Sequence, residues 1–221
     1  GNALAVTADT TYVLTLTADA AITYTIVGTK VADYGIAVTT ADWANLTTSH
    51  ETTLTSGSGE FGKMLSISGS YAIVCAPVED TIYGSSGAAY IFERNTDGSW
   101  NEVSMLKASN AGSGDWLGYG ASISGNYAIA GAPREDTNNS NSGTAYVFER
   151  DTTTGNWGVE VSSQSYRNET KMLRASNAGQ DDHFGRRLAV DGDYAIISAY
   201  YEDTNNSNSG AAYIFERDAN G

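Results

Sequence analysis

The stretch YAIVCAPVED at 71–80 returns as YAIAGAPRED at 127–136 and as YAIISAYYED at 194–203. Each copy is followed by a small-residue loop and then by GAAYIFER, GTAYVFER or GAAYIFER. A unit that recurs at this length cannot bury its own apolar faces and must stack on copies of itself. A residue type present once per unit is therefore scaffold, and chemistry is to be sought at a position that breaks the pattern.

The equivalent glycines Gly62, Gly118 and Gly185 lie 56 and 67 residues apart, the longer interval containing an insert at 155–170. That period suits a unit of four short strands, read in the first copy as 64–68, 71–76, 88–94 and the run after Trp100 that ends in MLKAS at 105–109. Ser68-Gly69-Ser70, Ser124-Gly125-Asn126 and Asp191-Gly192-Asp193 read as tight hairpin turns. In YAIVCA both alternating residue sets are apolar, so this strand is covered on both faces, as a blade between two neighbouring blades would be. The expected fold class is all-β, a β-propeller type of tandem four-stranded blades.

The units resemble the FG-GAP repeats of the integrin-type β-propeller family. The residues that carry the likeness are Phe61-Gly62 with Cys75-Ala76-Pro77, Leu117-Gly118 with Gly131-Ala132-Pro133, and Phe184-Gly185 with Ser198-Ala199-Tyr200. The two halves stand 13 residues apart in all three copies. The resemblance covers 61–217 and implies a non-catalytic recognition or adhesion propeller. Calcium loops that some family blades carry in the hairpin before the Gly-Ala-Pro strand do not carry over, because that hairpin here is too short to supply six to eight oxygens.

Three repeats are expected at 61–116, 117–183 with its insert, and 184–221 without a last strand. Residues 11–60 read as a degenerate first repeat, since YTIVGTKVAD at 24–33 aligns with YAIVCAPVED and Trp43 precedes Gly62 much as Trp100 precedes Gly118. The end of a separate β-sandwich domain is the alternative for this Thr-rich segment. ALAVT at 3–7, within 1–10, is expected to close the last blade beside AAYIFER.

A net charge of −14 repels nucleic acid and anionic membranes, so no nucleic-acid partner is expected, and no apolar run is long enough to span a bilayer. The acidic composition and the polar loops fit an extracellular or surface-displayed protein, secreted or on a virion or appendage surface. Cys75 is the only cysteine and gives no disulfide framework. Sequons at Asn45, Asn138, Asn168 and Asn205 permit glycosylation in a eukaryotic secretory setting.

The loop EDTNNSNSG occurs identically at 135–143 and 202–210. Asp136, Asn138, Asp203 and Asn205 place oxygens at alternating positions, which suits either a weak calcium site or turns closed by local side-chain hydrogen bonds. Glu60, Asp115, Asp181 and Asp182 precede each Phe-Gly position and read as loop caps; His183 is unique among its equivalents, and His50 lies in the least regular region. The pairs Glu93/Arg94, Glu149/Arg150 and Glu216/Arg217 are expected to make solvated ion pairs. No catalytic residue and no cofactor beyond weak calcium is expected. Three functions stay open: recognition of a protein or glycan, a structural subunit that contacts copies of itself or neighbouring subunits, and, last, a polysaccharide-active enzyme.

Overall fold

The computed structural model describes residues 11–18, 22–29, 52–56 and 59–218. The chain divides into two compact units, 1–51 and 52–221. The proposed closing strand at 1–10 and the residues Trp43, Asn45 and His50 lie outside the described residues. In the first unit β1 (Thr11–Ala18) and β2 (Ile22–Thr29) form an antiparallel hairpin in which Tyr24 faces Leu16.

The second unit contains strands and no helix among its described residues. The first blade is β3 (Met64–Ser68), β4 (Tyr71–Ala76), β5 (Ala88–Arg94) and β6 (Trp100–Lys107), paired antiparallel in chain order. The second blade contains β7 (Gly120–Ser124), β8 (Tyr127–Ala132) and β9 (Thr144–Glu149). Two short strands of the insert follow, β10 (Val159–Glu160) and β11 (Tyr166–Asn168), before β12 (Lys171–Leu173) completes that blade against β9. The third blade is β13 (Leu188–Asp191), β14 (Tyr194–Ala199) and β15 (Ala211–Glu216), with β15 at the edge.

Blades stack through alternating apolar faces. Ile73, Cys75 and Ile91 of the first pack against Ala121, Ile123, Ala128 and Phe148 of the second; Ile129 and Ala145 of the second pack against Ala195, Ile197 and Phe184 of the third. The double-sided pattern of YAIVCA and YAIAGA thus has a physical cause, a blade on either side. YAIISA departs from the expected burial: Tyr194 and Ile196 are exposed, because the face of β14 away from the second blade has no described neighbour. Inner strands are tied by serine hydroxyls. Ser66 and Ser68 accept the amide N–H of Ile123 and Gly125, both at 3.3 Å, and Ser122 and Ser124 accept those of Val190 and Gly192 at 3.1 and 3.3 Å.

The small-residue loops form a second tie. The carbonyls of Ser85 and Ser86 accept N–H bonds from Trp116 and Leu117 at 3.2 and 3.0 Å, and those of Asn141 and Ser142 accept from His183 and Phe184 at 3.1 and 3.0 Å. Backbones approach so closely that a Cβ on Gly87 would stand 2.3 Å from the Leu117 carbonyl oxygen, and one on Gly143 2.2 Å from that of Phe184.

The insert is neither free nor unstructured. Its β11 runs parallel to β6 of the preceding blade, pairing Tyr166 with Met105 and Arg167 with Leu106, so it clips the two blades at their rim. Trp157 at its start is buried against the Tyr71 ring, edge to face at 5.4 Å. The Glu-Arg pairs are corrected: Glu93, Glu149 and Glu216 accept the hydroxyls of Tyr71, Tyr127 and Tyr194 in their own blades. Arg150 and Arg217 instead lie over the rings of Tyr71 and Tyr127 in the preceding blades, at 5.0 and 5.1 Å.

Gly143→Ala combines a positive φ with a backbone collision, and it should cost about 2–4 kcal/mol in chemical denaturation. Gly125→Ala, at a hairpin turn with open space around it, should cost only about 1 kcal/mol.

Candidate functional site: an aromatic and guanidinium surface

The constant 13-residue spacing is a hydrogen bond. Gly62, Gly118 and Gly185 donate their N–H to the carbonyls of Cys75, Gly131 and Ser198 at 3.0, 2.9 and 3.0 Å, each glycine at a φ near +90°. Two residues before each glycine the chain is again left-handed, at Glu60, Trp116 and His183 (φ 62, 62 and 55°). The turn therefore brings four positions per blade together: the residue two before the glycine, the residue after it, and the two that close the Gly-Ala-Pro segment, of which Pro77 and Pro133 are buried.

These four positions vary while their flanks repeat. They are Glu60, Lys63, Pro77 and Val78 in the first blade, Trp116, Tyr119, Pro133 and Arg134 in the second, and His183, Arg186, Tyr200 and Tyr201 in the third. In the first blade Lys63 and Glu60 simply pair at 3.0 Å in solvent. In the other two the side chains converge. Arg134 lies 3.5 Å over the Trp116 ring, which stacks on Tyr119 at 5.5 Å. Arg186 lies 4.9 Å over Tyr119 and 4.6 Å over Tyr200, and donates to the Tyr200 hydroxyl at 2.5 Å. Tyr201 packs on Tyr200 at 3.9 Å and on His183 at 5.6 Å.

Neither guanidinium is ion-paired among the described residues. Burial pushes the His183 imidazole below its ordinary pKa, against the nearby Asp181 carboxylate, and its Nδ1 is enclosed without a partner. Arg134 and Tyr201 are exposed, and Trp116, Tyr119, Arg186, His183 and Tyr200 are half-buried. A surface of flat rings with two cations held on them can stack against a ring face and hydrogen-bond an anion.

The carboxylates expected to hold calcium close their own loops. Asp136 accepts the Asn141 N–H at 2.6 Å, Asp203 accepts that of Asn208, and Asp80 accepts that of Ser85 at 2.6 Å, so the same carboxylate closes the same loop in each blade. Asn138 and Asn205 are exposed. No three His, Cys, Asp or Glu side chains are grouped to hold a metal ion among the described residues. The loop at 135–143 straps the next blade: Asn139 donates to the Ala178 carbonyl at 2.9 Å and Asn141 to Asp181 at 2.7 Å. Asn168 lies half-buried within β11 with its Oδ1 enclosed, and Thr170 of its sequon donates to the Val147 carbonyl at 2.9 Å.

Asp115 and Asp182 are buried loop caps, accepting the N–H of Gly112 and Gly179 at 2.6 Å. Cys75 is fully buried and its thiol is pushed up by desolvation, so it is a small core side chain.

A family profile of the FG-GAP repeat matches residues 55–92, 100–148 and 168–215, more than half of the chain. The chain belongs to the FG-GAP repeat family. No curated protein gives a significant match to it. Each matched stretch holds the three inner strands of one blade, the second and third opening with the fourth strand of the blade before, and the FG-GAP turn within it is what aims the aromatic and guanidinium groups outward. Sequence reasoning singled out His183 but missed Trp116, Tyr119, Arg134, Arg186, Tyr200 and Tyr201. The available signal was their variation in register between otherwise constant flanks.

Burial raises Asp115 to about 6, above an unfolded value of about 3.9. The folded state thus holds its proton longer, so this group makes stability fall as pH rises from about 4 to about 6. Asp115→Asn should flatten that part of the stability profile in urea titrations at stepped pH.

Proposed function

We propose that the chain is a non-catalytic, surface-displayed recognition module, and that it binds an acidic glycan through the ring and guanidinium surface of its second and third blades. FG-GAP repeats are typical of extracellular or surface recognition proteins, which supports the general class. One observation carries the ligand class. In a chain of net charge −14, Arg134 and Arg186 lie on aromatic rings, with no carboxylate paired to either among the described residues. Sugar ring faces stack on Trp116 and Tyr200, and carboxylate or sulfate groups answer the guanidiniums. The acidic loop at 135–143 bonds the neighbouring blade through Asn139 and Asn141, and the convergent cations favour an anion.

A structural role in an assembly is the second reading. Leu65 and Ile67 on the first blade and Ile196 and Ile214 on the third are between 47% and 71% exposed, on sheet faces that are covered elsewhere in the stack.

Calorimetry with a uronate or sulfated oligosaccharide should detect binding that weakens with salt and leaves the oligosaccharide uncleaved. Trp116→Ala and Arg134→Ala should each weaken it at least tenfold without lowering the melting temperature. Equal binding by both variants, or by a neutral oligosaccharide, would sink this reading.

A further inference from the structure

The residue two before the FG glycine is Glu60, then Trp116, then His183, so only the third blade carries an imidazole at this position. Histidine is the side chain whose charge changes between about pH 5 and about pH 8. The ring of His183 is packed among aromatic neighbours. Those of Tyr201 and Tyr200 lie 5.6 and 6.0 Å from it, Tyr200 carries the Arg186 guanidinium at 4.6 Å, and the imidazole Nδ1 is enclosed without a partner. The backbone N–H of His183 bonds the Asn141 carbonyl at 3.1 Å, which holds the turn in place whatever the charge of the ring.

Burial opposes the imidazolium form more than any neighbour does, and the neighbours divide. On its own turn Asp181 favours the charge, but the two Asp181 oxygens accept from Asn141 and Gln180 at 2.7 and 3.2 Å. The adjacent Asp182 is buried on the Gly179 N–H. Past the glycine, Arg186 opposes the charge; from the second blade Arg134 opposes it as well, while the Pro133 carbonyl favours it. Tyr200 and Tyr201 present phenol rings. Both opposing guanidiniums lie on aromatic rings with no carboxylate paired to them among the described residues. An anion that pairs with them removes a repulsion and adds an attraction, and the imidazole becomes easier to protonate.

We propose that His183 is a third cation of the ring and guanidinium surface, formed as the ligand binds: an acidic glycan that reaches Arg134 and Arg186 draws a proton from solvent onto this imidazole. The inference rests on the glycan reading above and adds the proton to it. Linkage is reciprocal, so the ligand tightens the imidazole's hold on its proton by the factor by which the proton tightens the ligand. The sign follows. Between the lower pKa of the free ring and the higher one of the complex, the complex holds more protons than the free chain, so binding strengthens as pH falls through that window. Above it the ring is neutral in both states and below it charged in both, and the dependence ends.

The probe is a sulfated oligosaccharide without carboxylates, whose own charge is constant over the range, titrated calorimetrically into the intact chain from about pH 7.5 to about pH 5 in buffers of different ionisation enthalpy. Affinity should rise about tenfold as the pH falls, a pKa difference of about one unit, and proton uptake should peak at about half a proton per ligand. His183→Asn, which suits the left-handed backbone there (φ 55°), should bind with a pH-independent affinity, no proton uptake and an unchanged melting temperature. Asp115, which burial raises to about 6, adjoins Trp116, and Asp115→Asn should keep the uptake. Without ligand, Arg186→Gln should raise the pKa read from the His183 ring by NMR, the signal being assigned by its loss in His183→Asn. Binding without proton uptake, uptake that persists in His183→Asn, or an unmoved His183 titration in Arg186→Gln would overturn the proton link and leave the glycan reading standing. No binding at any pH would overturn both.

Discussion

Everything in the stacked unit rests on a backbone-to-backbone approach between neighbouring blades. The carbonyls of a small-residue loop in one blade receive the N–H groups that lead into the FG turn of the next. No side chain fits between them, so Gly87 and Gly143 are obligatory, and each stands at a φ of +85 or +83°. This contact fixes the height of the FG turn. The turn then bonds its glycine N–H to the Gly-Ala-Pro segment and holds the residue two before it left-handed. Trp116 and His183 are directed outward as a result.

A repeat whose apolar faces are covered by its neighbours can leave its turn positions unconstrained by packing. The same four positions carry a solvated Lys63–Glu60 pair in one blade and a joined cluster of rings and guanidiniums in the next two. Scaffold and site are therefore separated within a few residues of chain. The acids show the same division: Glu79 and Glu135 are buried and neutralised by Lys107 and Arg174, while Asp136 and Asp203 bond their own loops.

At the outer rim the fold depends on aromatic residues from successive blades. Tyr71 receives Trp157 and Arg150, and the insert that begins with Trp157 goes on to pair β11 with β6. An added segment thus reinforces an interface that already existed. The parallel pairing of β11 is non-local and leaves no periodic trace, since three residues that are all half-buried show no alternation.

Repeat length, the four-strand unit, the turns and the blade-type stacking were legible from the sequence, because hydrophobic alternation and turn chemistry act locally and three copies in register amplify them. The 13-residue spacing was visible too, although its cause, a hydrogen bond from Gly118 to Gly131, was not. The acids before the FG turn were read correctly as caps at Asp115 and Asp182. Tertiary structure alone decided which polar groups meet. Glu149 bonds Tyr127 while its neighbour Arg150 crosses to Tyr71 in another blade, and the loop at 135–143 faces the next blade. Arg134, Arg186, Trp116 and Tyr200 lie up to 84 residues apart in the chain, and they converge only because blade stacking brings successive FG turns side by side. Such proximity depends on how whole blades pack, which no local pattern of residues encodes.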